Sequence, residues 1–281
     1  MAALAIVTGA NGVIGKAIAT GIAKAGFDVV MVCRDEKRAE GALKEVRRAS
    51  ESSGVRYELA DLSRRESVFA LVARWQGRLD VLVNNAAIAP RRRTETPEGI
   101  EVQFATNVLG YLWMMRAFEA VLRKSAPARV VNVASYWAGD LDLSDLQFQR
   151  RRYDNDQAYR QSKQANRMLT VAFAQRWRDA GITVNSCHPG DANSARSNAL
   201  GFGGSATPEQ AAATPVWLAT EPSLRNVSGQ YFANCRTARW PRSTVRAGSS
   251  DCALRRSPSA WGRNRSSNRS ADPVYDSVCG R

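Results

Sequence analysis

The chain has 281 residues, 44% of them apolar and 23% charged, the balance of a soluble globular chain with a sizeable core. Collagen-like, disulfide-stapled and wholly disordered classes are thereby excluded, and no run of about 18 apolar residues offers itself to a bilayer. The net charge is +14, and half of that excess sits in the last 46 residues.

From Leu4 onward two textures alternate. A β-branched run predicts a strand at 5–8, which ends in Thr8-Gly9-Ala10-Asn11-Gly12-Val13-Ile14-Gly15 and passes into a helical run from Lys16. A Gly-rich turn between strand and helix lets the backbone approach a pyrophosphate. The helix N-terminus then offers it free N–H groups and a positive dipole. Gly9, Asn11, Gly12, Val13, Ile14 and Gly15 are therefore candidate cofactor contacts. The second strand, 29–33, ends at Cys33-Arg34. An acid here would bind the adenosine ribose hydroxyls. A thiol cannot, and the guanidinium of Arg34 suits the 2′-phosphate of NADP(H), with Asp35 adjoining it.

Further strands are predicted at 55–59, 79–83, 129–134 and 182–187. Between them lie helical stretches, such as the one carrying Val68, Leu71, Val72 and Trp75. Strands separated by helix-length segments make βαβ units. Right-handed crossovers turn these into a doubly wound parallel sheet, an α/β fold of Rossmann type. We read one domain over 1–235. Ser135 follows a strand at the carboxyl edge, where open α/β sheets bind ligands. Tyr159 and Lys163 stand four apart on one helix face, and a nearby ammonium favours the phenolate that acid–base work on an alcohol or ketone needs. Residues 191–214, with Gly201, Gly203, Gly204 and Pro208, read as a mobile substrate loop. Leu200, Phe202 and Trp137 give it apolar material. The triplets Arg91-Arg92-Arg93 and Arg150-Arg151-Arg152 flank the expected cleft mouth, as solvated faces or as attraction for an anionic substrate or surface.

After Cys235 the texture fails. Residues 236–281 hold ten Arg, three Asp, no Lys and no Glu, and are expected to form a disordered basic tail. Two alternatives are a basic arm for nucleic acid or a membrane surface, and a slipped reading frame. The five cysteines are scattered with no CxxC pair, which fits a reducing compartment and neither a disulfide framework nor a metal site. With no basic n-region or long apolar segment at the N-terminus, a cytoplasmic location is expected.

In order along the chain come Asp61-Leu62, Asn84-Asn85-Ala86-Ala87, Asn107, Ser135, Tyr159-Arg160-Gln161-Ser162-Lys163 and Pro189-Gly190. As an ordered set, over about 4–232, they resemble the short-chain dehydrogenase/reductase family. The insert Asp145-Leu146-Gln147, the 24-residue separation of Ser135 and Tyr159, and Ser228-Gly229-Gln230-Tyr231-Phe232 look most like its retinol-dehydrogenase-like branch. The resemblance implies an NADP(H)-dependent oxidoreductase that interconverts an alcohol and a carbonyl on a small hydrophobic substrate. By the same resemblance Tyr159 transfers the proton, Lys163 tunes it and holds the nicotinamide ribose, Ser135 positions the oxygen, and Asn107 anchors a water relay to Lys163. It further implies that Asp61 and Leu62 lie by the adenine, Asn84 stabilises the central sheet, and Ala86 lines the cofactor site. Pro189-Gly190 would back the nicotinamide and Ser194 would contact its carboxamide. Homo-oligomers are implied too, and no nucleic-acid partner. His188, the only histidine, precedes the Pro-Gly turn and is read as structural.

Two positions depart from the family pattern. Val13 stands where Thr-Gly-x-x-x-Gly-x-Gly has its middle glycine, and Ala87 ends the Asn-Asn-Ala-Gly motif. The resulting TGxxGxxG spacing looks like the extended branch, so a nucleotide-sugar epimerase or dehydratase with bound NAD is the rival enzyme reading. A non-catalytic NADP-binding scaffold is the rival outside enzymes.

Overall fold

The structure is a computed structural model that describes residues 2–239 and, for 245–246, the backbone alone. The apolar runs form the strands β1 (Leu4–Thr8), β2 (Asp28–Cys33), β3 (Val55–Leu59), β4 (Val81–Asn84), β5 (Ala128–Val133) and β7 (Ile182–Cys187). Each lies within two residues of its expected bounds. Two short strands complete the sheet, β8 (Tyr231–Ala233) and β9 (Arg236–Thr237). The order is β3-β2-β1-β4-β5-β7-β8-β9, parallel throughout except for the last pair. β6 (Leu141–Asp142), in the insert after β5, pairs separately with β10 (Val245–Arg246).

Helices cover both faces, so the central strands are buried continuously along their length. On one face lie α1 (Val13–Lys24), α2 (Glu36–Ser50) and α9 (Pro208–Thr220). Ile14, Ile18 and Ile22 of α1 pack there against Val7, Val29 and Val83. On the other lie α3 (Arg65–Ala73), α5 (Gly110–Ala117), α6 (Glu119–Lys124) and α7 (Asn155–Arg176). Leu71, Leu112, Leu169 and Trp177 pack on that side against Ile6, Val30 and Val130. Alternate residues of β1 thus serve two cores. The short α4 (Val102–Phe104) leads into a π-helical turn at Ala105–Leu109, and α8 (Ala195–Ala199) sits in the expected substrate loop. Helix starts are specified locally. The Asp35 and Asp154 carboxylates cap α2 and α7 by accepting from Arg38 N and Gln157 N, each at 2.8 Å. Thr207 and Gln210 form a capping box on α9, with Pro208 at its first position.

The chain runs outward from β1 to β3, then crosses back to β4 on the other side of β1. The carboxyl ends of β1 and β4 therefore border a topological switch point, where such sheets bind ligands. At the far edge the sheet runs past the expected boundary at Cys235. Asn234 and Cys235 take positive φ values of 51° and 53°, the two-residue turn that joins β8 to β9. The boundary thus falls inside a hairpin, and Cys235 N donates to Thr214 Oγ1 at 3.2 Å. Apart from 236–239 and the 245–246 backbone, the expected disordered tail lies outside the described residues. Among the described residues no helix is long and apolar enough to cross a membrane.

Candidate active site

The turn after β1 is held by its neighbours across the switch point. The Thr8 hydroxyl accepts from Asn85 N at 2.9 Å and Ala86 N at 3.1 Å, and donates to Val83 O. Asn85 Nδ2 donates to Thr8 O at 2.8 Å. Gly9 has φ +63°, and a Cβ on it would come within 2.8 Å of Ala86 Cα. A Cβ on Gly15 would run into the Gly9 carbonyl oxygen and lie 2.8 Å from Ala10 Cα. Gly12 is the N-cap of α1. No side chain caps this helix and no acid stands in its first turn, so the amides of Val13, Ile14 and Gly15 face an outside acceptor. This close-packed cradle of donors suits the pyrophosphate of a dinucleotide.

The end of β2 sets the next contact. The Cys33 thiol lies against the amides of Ala10 and Asn11, and burial pushes it up to about 11, so it stays neutral near pH 7. The Asp35 carboxylate is engaged as the cap of α2. Arg34 is exposed, and Arg38, also exposed, bears its positive charge on Cys33. Beyond β3, Asp61 Oδ1 accepts from Ser63 N and Ser63 Oγ at 3.0 and 2.7 Å, and Leu62 is buried beside it. Asn84 is fully buried, and its Nδ2 donates to Asn132 Oδ1 at 2.9 Å, tying β4 to β5.

Asn107 sits within the π-helical turn, a distortion that is frequent at functional sites. It is fully buried. Its Nδ2 donates to Ile88 O at 3.0 Å and Ser162 Oγ at 3.2 Å, and its Oδ1 accepts from Ile88 N at 2.9 Å. Lys163 is also buried. Its Nζ donates to Val133 O at 2.7 Å and approaches Tyr111 Oη at 3.4 Å. It lies 5.7 Å from the Tyr159 ring centroid. Burial, reinforced by the positive charge of Arg196, holds the Lys163 ammonium well below the usual lysine range.

Ser135 and Tyr159 line one cavity, backed by Ile14 on α1 and by Pro189-Gly190 after β7. Ser135 Oγ accepts from Trp137 N at 3.1 Å. His188, half-buried, lines the same cavity, edge-on to Tyr136 at 4.5 Å, with Nε2 3.8 Å from Asp191 Oδ1. Burial pushes it down to about 4 against the pull of Asp191, so it is neutral near pH 7, which agrees with a structural role. Ser194 caps α8 in a reciprocal box with Ser197, its Oγ accepting from Ser197 N at 3.1 Å. Its hydroxyl is thus shared between that cap and any ligand.

Two of the six arginines in the expected fringe are structural. Arg93 donates to Gln147 O at 3.0 Å and pairs with Glu95 at 2.8 Å. Arg151 pairs with Asp145 at 3.1 Å and stacks on Phe148. Arg91, Arg92, Arg150 and Arg152 are exposed. Four further residues at the site escape a reading of the sequence. Asn85 holds the first turn, and Arg38 joins Arg34 at the end of β2. Arg167, buried one turn beyond Lys163, donates to the Ser135 carbonyl oxygen and stacks 4.2 Å from the Tyr231 ring centroid. Arg196 enters the cavity itself. Only the four-residue spacing of 159, 163 and 167, and of 34 and 38, could have signalled any of them.

Residues 3–201 match the family model described as short chain dehydrogenase. The chain is 37% identical over 251 residues to retinol dehydrogenase 13 of Mus musculus, covering 82% of this chain and 75% of that protein. It is 38% identical over 256 residues to a "probable oxidoreductase" of Streptomyces antibioticus, covering 84% and 86%. Among solved structures it is similar to the Pseudomonas aeruginosa RhlG/NADP active-site complex, with a TM-score of 0.67 at 26% identity, covering 82% and 93%. These likenesses favour the short-chain reading over the nucleotide-sugar one.

Proposed function

The chain belongs to the short-chain dehydrogenase family, in its retinol-dehydrogenase-like branch, and on that premise we propose an NADP(H)-dependent enzyme that interconverts an alcohol and a carbonyl on a small substrate with an apolar body. The observation that carries this reading is the meeting of Ser135 and Tyr159 in one cavity backed by Ile14 and Pro189-Gly190. The nicotinamide, when bound, supplies or accepts a hydride. The chain supplies positioning and a proton. In the reductive direction the Ser135 hydroxyl holds the carbonyl oxygen, and Tyr159 donates its phenolic proton to that oxygen as the carbon becomes tetrahedral. The Lys163 ammonium, 5.7 Å from the ring, stabilises the phenolate left behind. In the oxidative direction the same phenolate takes the proton back.

Three features favour NADP(H) over NAD(H): a neutral Cys33 where an acid would take the ribose hydroxyls, an Asp35 engaged in capping, and two exposed guanidiniums at Arg34 and Arg38. Gly9, Asn11, Gly12, Val13, Ile14 and Gly15 would hold the pyrophosphate, and Asp61 and Leu62 the adenine. Ala86, Pro189, Gly190 and Ser194 would line the nicotinamide half, with Asn107 supporting the relay to Lys163. The experiment is an NADPH-oxidation screen over aldehydes and ketones, retinal included because relatives bear that substrate's alcohol in their names. NADPH is expected to bind more tightly than NADH. Equal or tighter NADH binding would refute the cofactor assignment, and no oxidation with any carbonyl would refute the activity.

A further inference from the structure

The substrate cavity contains a cation that the proton relay does not use. Arg196, on α8, is half-buried and lines the same cavity as Ser135 and Tyr159. Its guanidinium carbon lies 5.9 Å from the Tyr159 ring centroid. No hydrogen bond or ion pair holds it among the described residues. The one carboxylate lining the cavity, Asp191, turns instead to Tyr136 Oη at 3.2 Å and His188 Nε2 at 3.8 Å. Trp137 and Phe202, which line the same cavity, pack ring to ring at 4.8 Å and offer an apolar wall.

We infer that Arg196 is a specificity-determining residue that anchors a carboxylate of the substrate, and that the preferred substrates are oxo and hydroxy carboxylic acids whose apolar part rests on Trp137 and Phe202. The inference rests on the alcohol–carbonyl reading above and refines its substrate class. A half-buried guanidinium that no carboxylate among the described residues engages is open to a ligand, and a carboxylate offers it a bidentate, charge-assisted contact. Because the guanidinium lies close beside the Tyr159 ring, the anionic group must lie near the reacting carbon, as in a short oxo acid. It does not belong at the far end of a long chain.

The surface around the mouth has the matching sign. The exposed Arg91 and Arg92 lie on a segment joined to the insert by Arg93–Gln147 at 3.0 Å and Tyr153–Pro90 at 3.3 Å. The insert in turn reaches the substrate loop through Asn155 Nδ2 to Ala199 O at 3.0 Å. Arginines 150 and 152 are exposed on that bridge. Together they form a positive approach that would concentrate anions at the cleft.

The test compares 2-, 3- and 4-oxo carboxylic acids with their methyl esters as NADPH oxidants, in the wild type and in Arg196→Leu and Arg196→Lys. The wild type is expected to favour at least one acid over its ester by about 10- to 100-fold in kcat/KM, the range of a charged hydrogen bond. Arg196→Leu is expected to remove most of that preference, chiefly through KM and with far less effect on the ester, and Arg196→Lys to keep part of it. NADPH affinity, read by cofactor fluorescence, separates the other source of an anion. If Arg196→Leu weakens NADPH and slows acid and ester alike, the guanidinium serves the cofactor's diphosphate and the inference falls. It falls equally if acids and esters are reduced alike, or if only carbonyls without an acid are reduced. If no carbonyl is reduced at all, the alcohol–carbonyl reading fails first and takes the inference with it.

Discussion

Helix glycines usually weaken a protein, so replacing Gly15 by alanine tests whether the first turn is as tightly built as its geometry implies. With free space, Gly→Ala inside a helix gains up to about 1 kcal/mol. At Gly15 the new Cβ would strike the Gly9 carbonyl oxygen and lie 2.8 Å from both Ala10 Cα and Asn85 Nδ2. Two of those three atoms are backbone, so the turn itself must move. Overpacking costs roughly 1–3 kcal/mol, and with two backbone atoms in the way the upper part of that range, about 2–3 kcal/mol, applies; after a helix gain of up to about 1 kcal/mol the net loss is about 1–2 kcal/mol. In a domain of this size that lowers Tm by roughly 2–8 °C. The displaced turn also carries the amides that would meet the pyrophosphate, and losing one charged hydrogen bond weakens NADPH by roughly 10- to 100-fold. Gly41 on α2 is the control, since a Cβ there meets nothing within 4 Å. Gly41→Ala is expected to raise stability by about 0.5–1 kcal/mol and leave NADPH binding as it was. Thermal melts by circular dichroism and NADPH fluorescence titration read both effects. A Gly15→Ala protein within 0.5 kcal/mol of wild type, with NADPH bound within threefold, would refute the argument.

Tyr159→Phe is expected to cut turnover by about 10²–10⁴-fold or more with NADPH affinity retained, and steady-state rates within a few-fold of wild type would remove it from the mechanism. Arg34→Ala and Arg38→Ala are expected to weaken NADPH more than NADH, and an equal loss for both in paired titrations would assign these arginines another role. His188 has a folded pKa of about 4 against 6.5, so between those values the unfolded chain binds a proton that the folded chain refuses. Its contribution is therefore complete above pH 6.5 and is lost as pH falls towards 4, about 2 kcal/mol by pH 5. Denaturant melts at pH 7 and pH 5 check this, with His188→Asn expected to flatten the slope. Because β9 pairs with β8, ending the chain after Cys235 is expected to cost about 1–2 kcal/mol relative to ending it after Arg239, and identical melting curves would show that the hairpin contributes nothing.

Six strands are legible in the sequence because each is a short run rich in strand-forming residues, and five of them are buried almost throughout, as at Val29, Val30, Met31 and Val32. Ser135, Tyr159 and Lys163 are legible because a strand end and one helix face bring them together. β8 and β9 are not, since strands of three and two residues carry no period, and their turn uses Asn234 and Cys235 in place of the usual glycine. The arginine triplets show a different limit. A run of like charges looks uniform, yet Arg93 and Arg151 are drawn into pairs while their neighbours face water. In the sequence Arg196 is indistinguishable from a solvated loop residue; only the fold sets its guanidinium 5.9 Å from the Tyr159 ring centroid.

The Asn107 side chain meets the Ile88 peptide edge-on, giving one hydrogen bond to its carbonyl and taking one from its amide. A neighbouring strand would serve that peptide in the same way, so the segment leaving β4 quits the sheet without bare polar groups. The same carboxamide donates to Ser162 Oγ at 3.2 Å, and the Ser162 hydroxyl donates in turn to the Tyr159 carbonyl oxygen at 2.7 Å. In mechanical terms Asn107 is a spacer. The length of one side chain sets the gap between the loop beyond β4 and the helix that carries the phenol. Glutamine, with the same polar head and one more methylene, would lengthen that strut, and the phenol would be displaced although neither it nor the lysine had been altered.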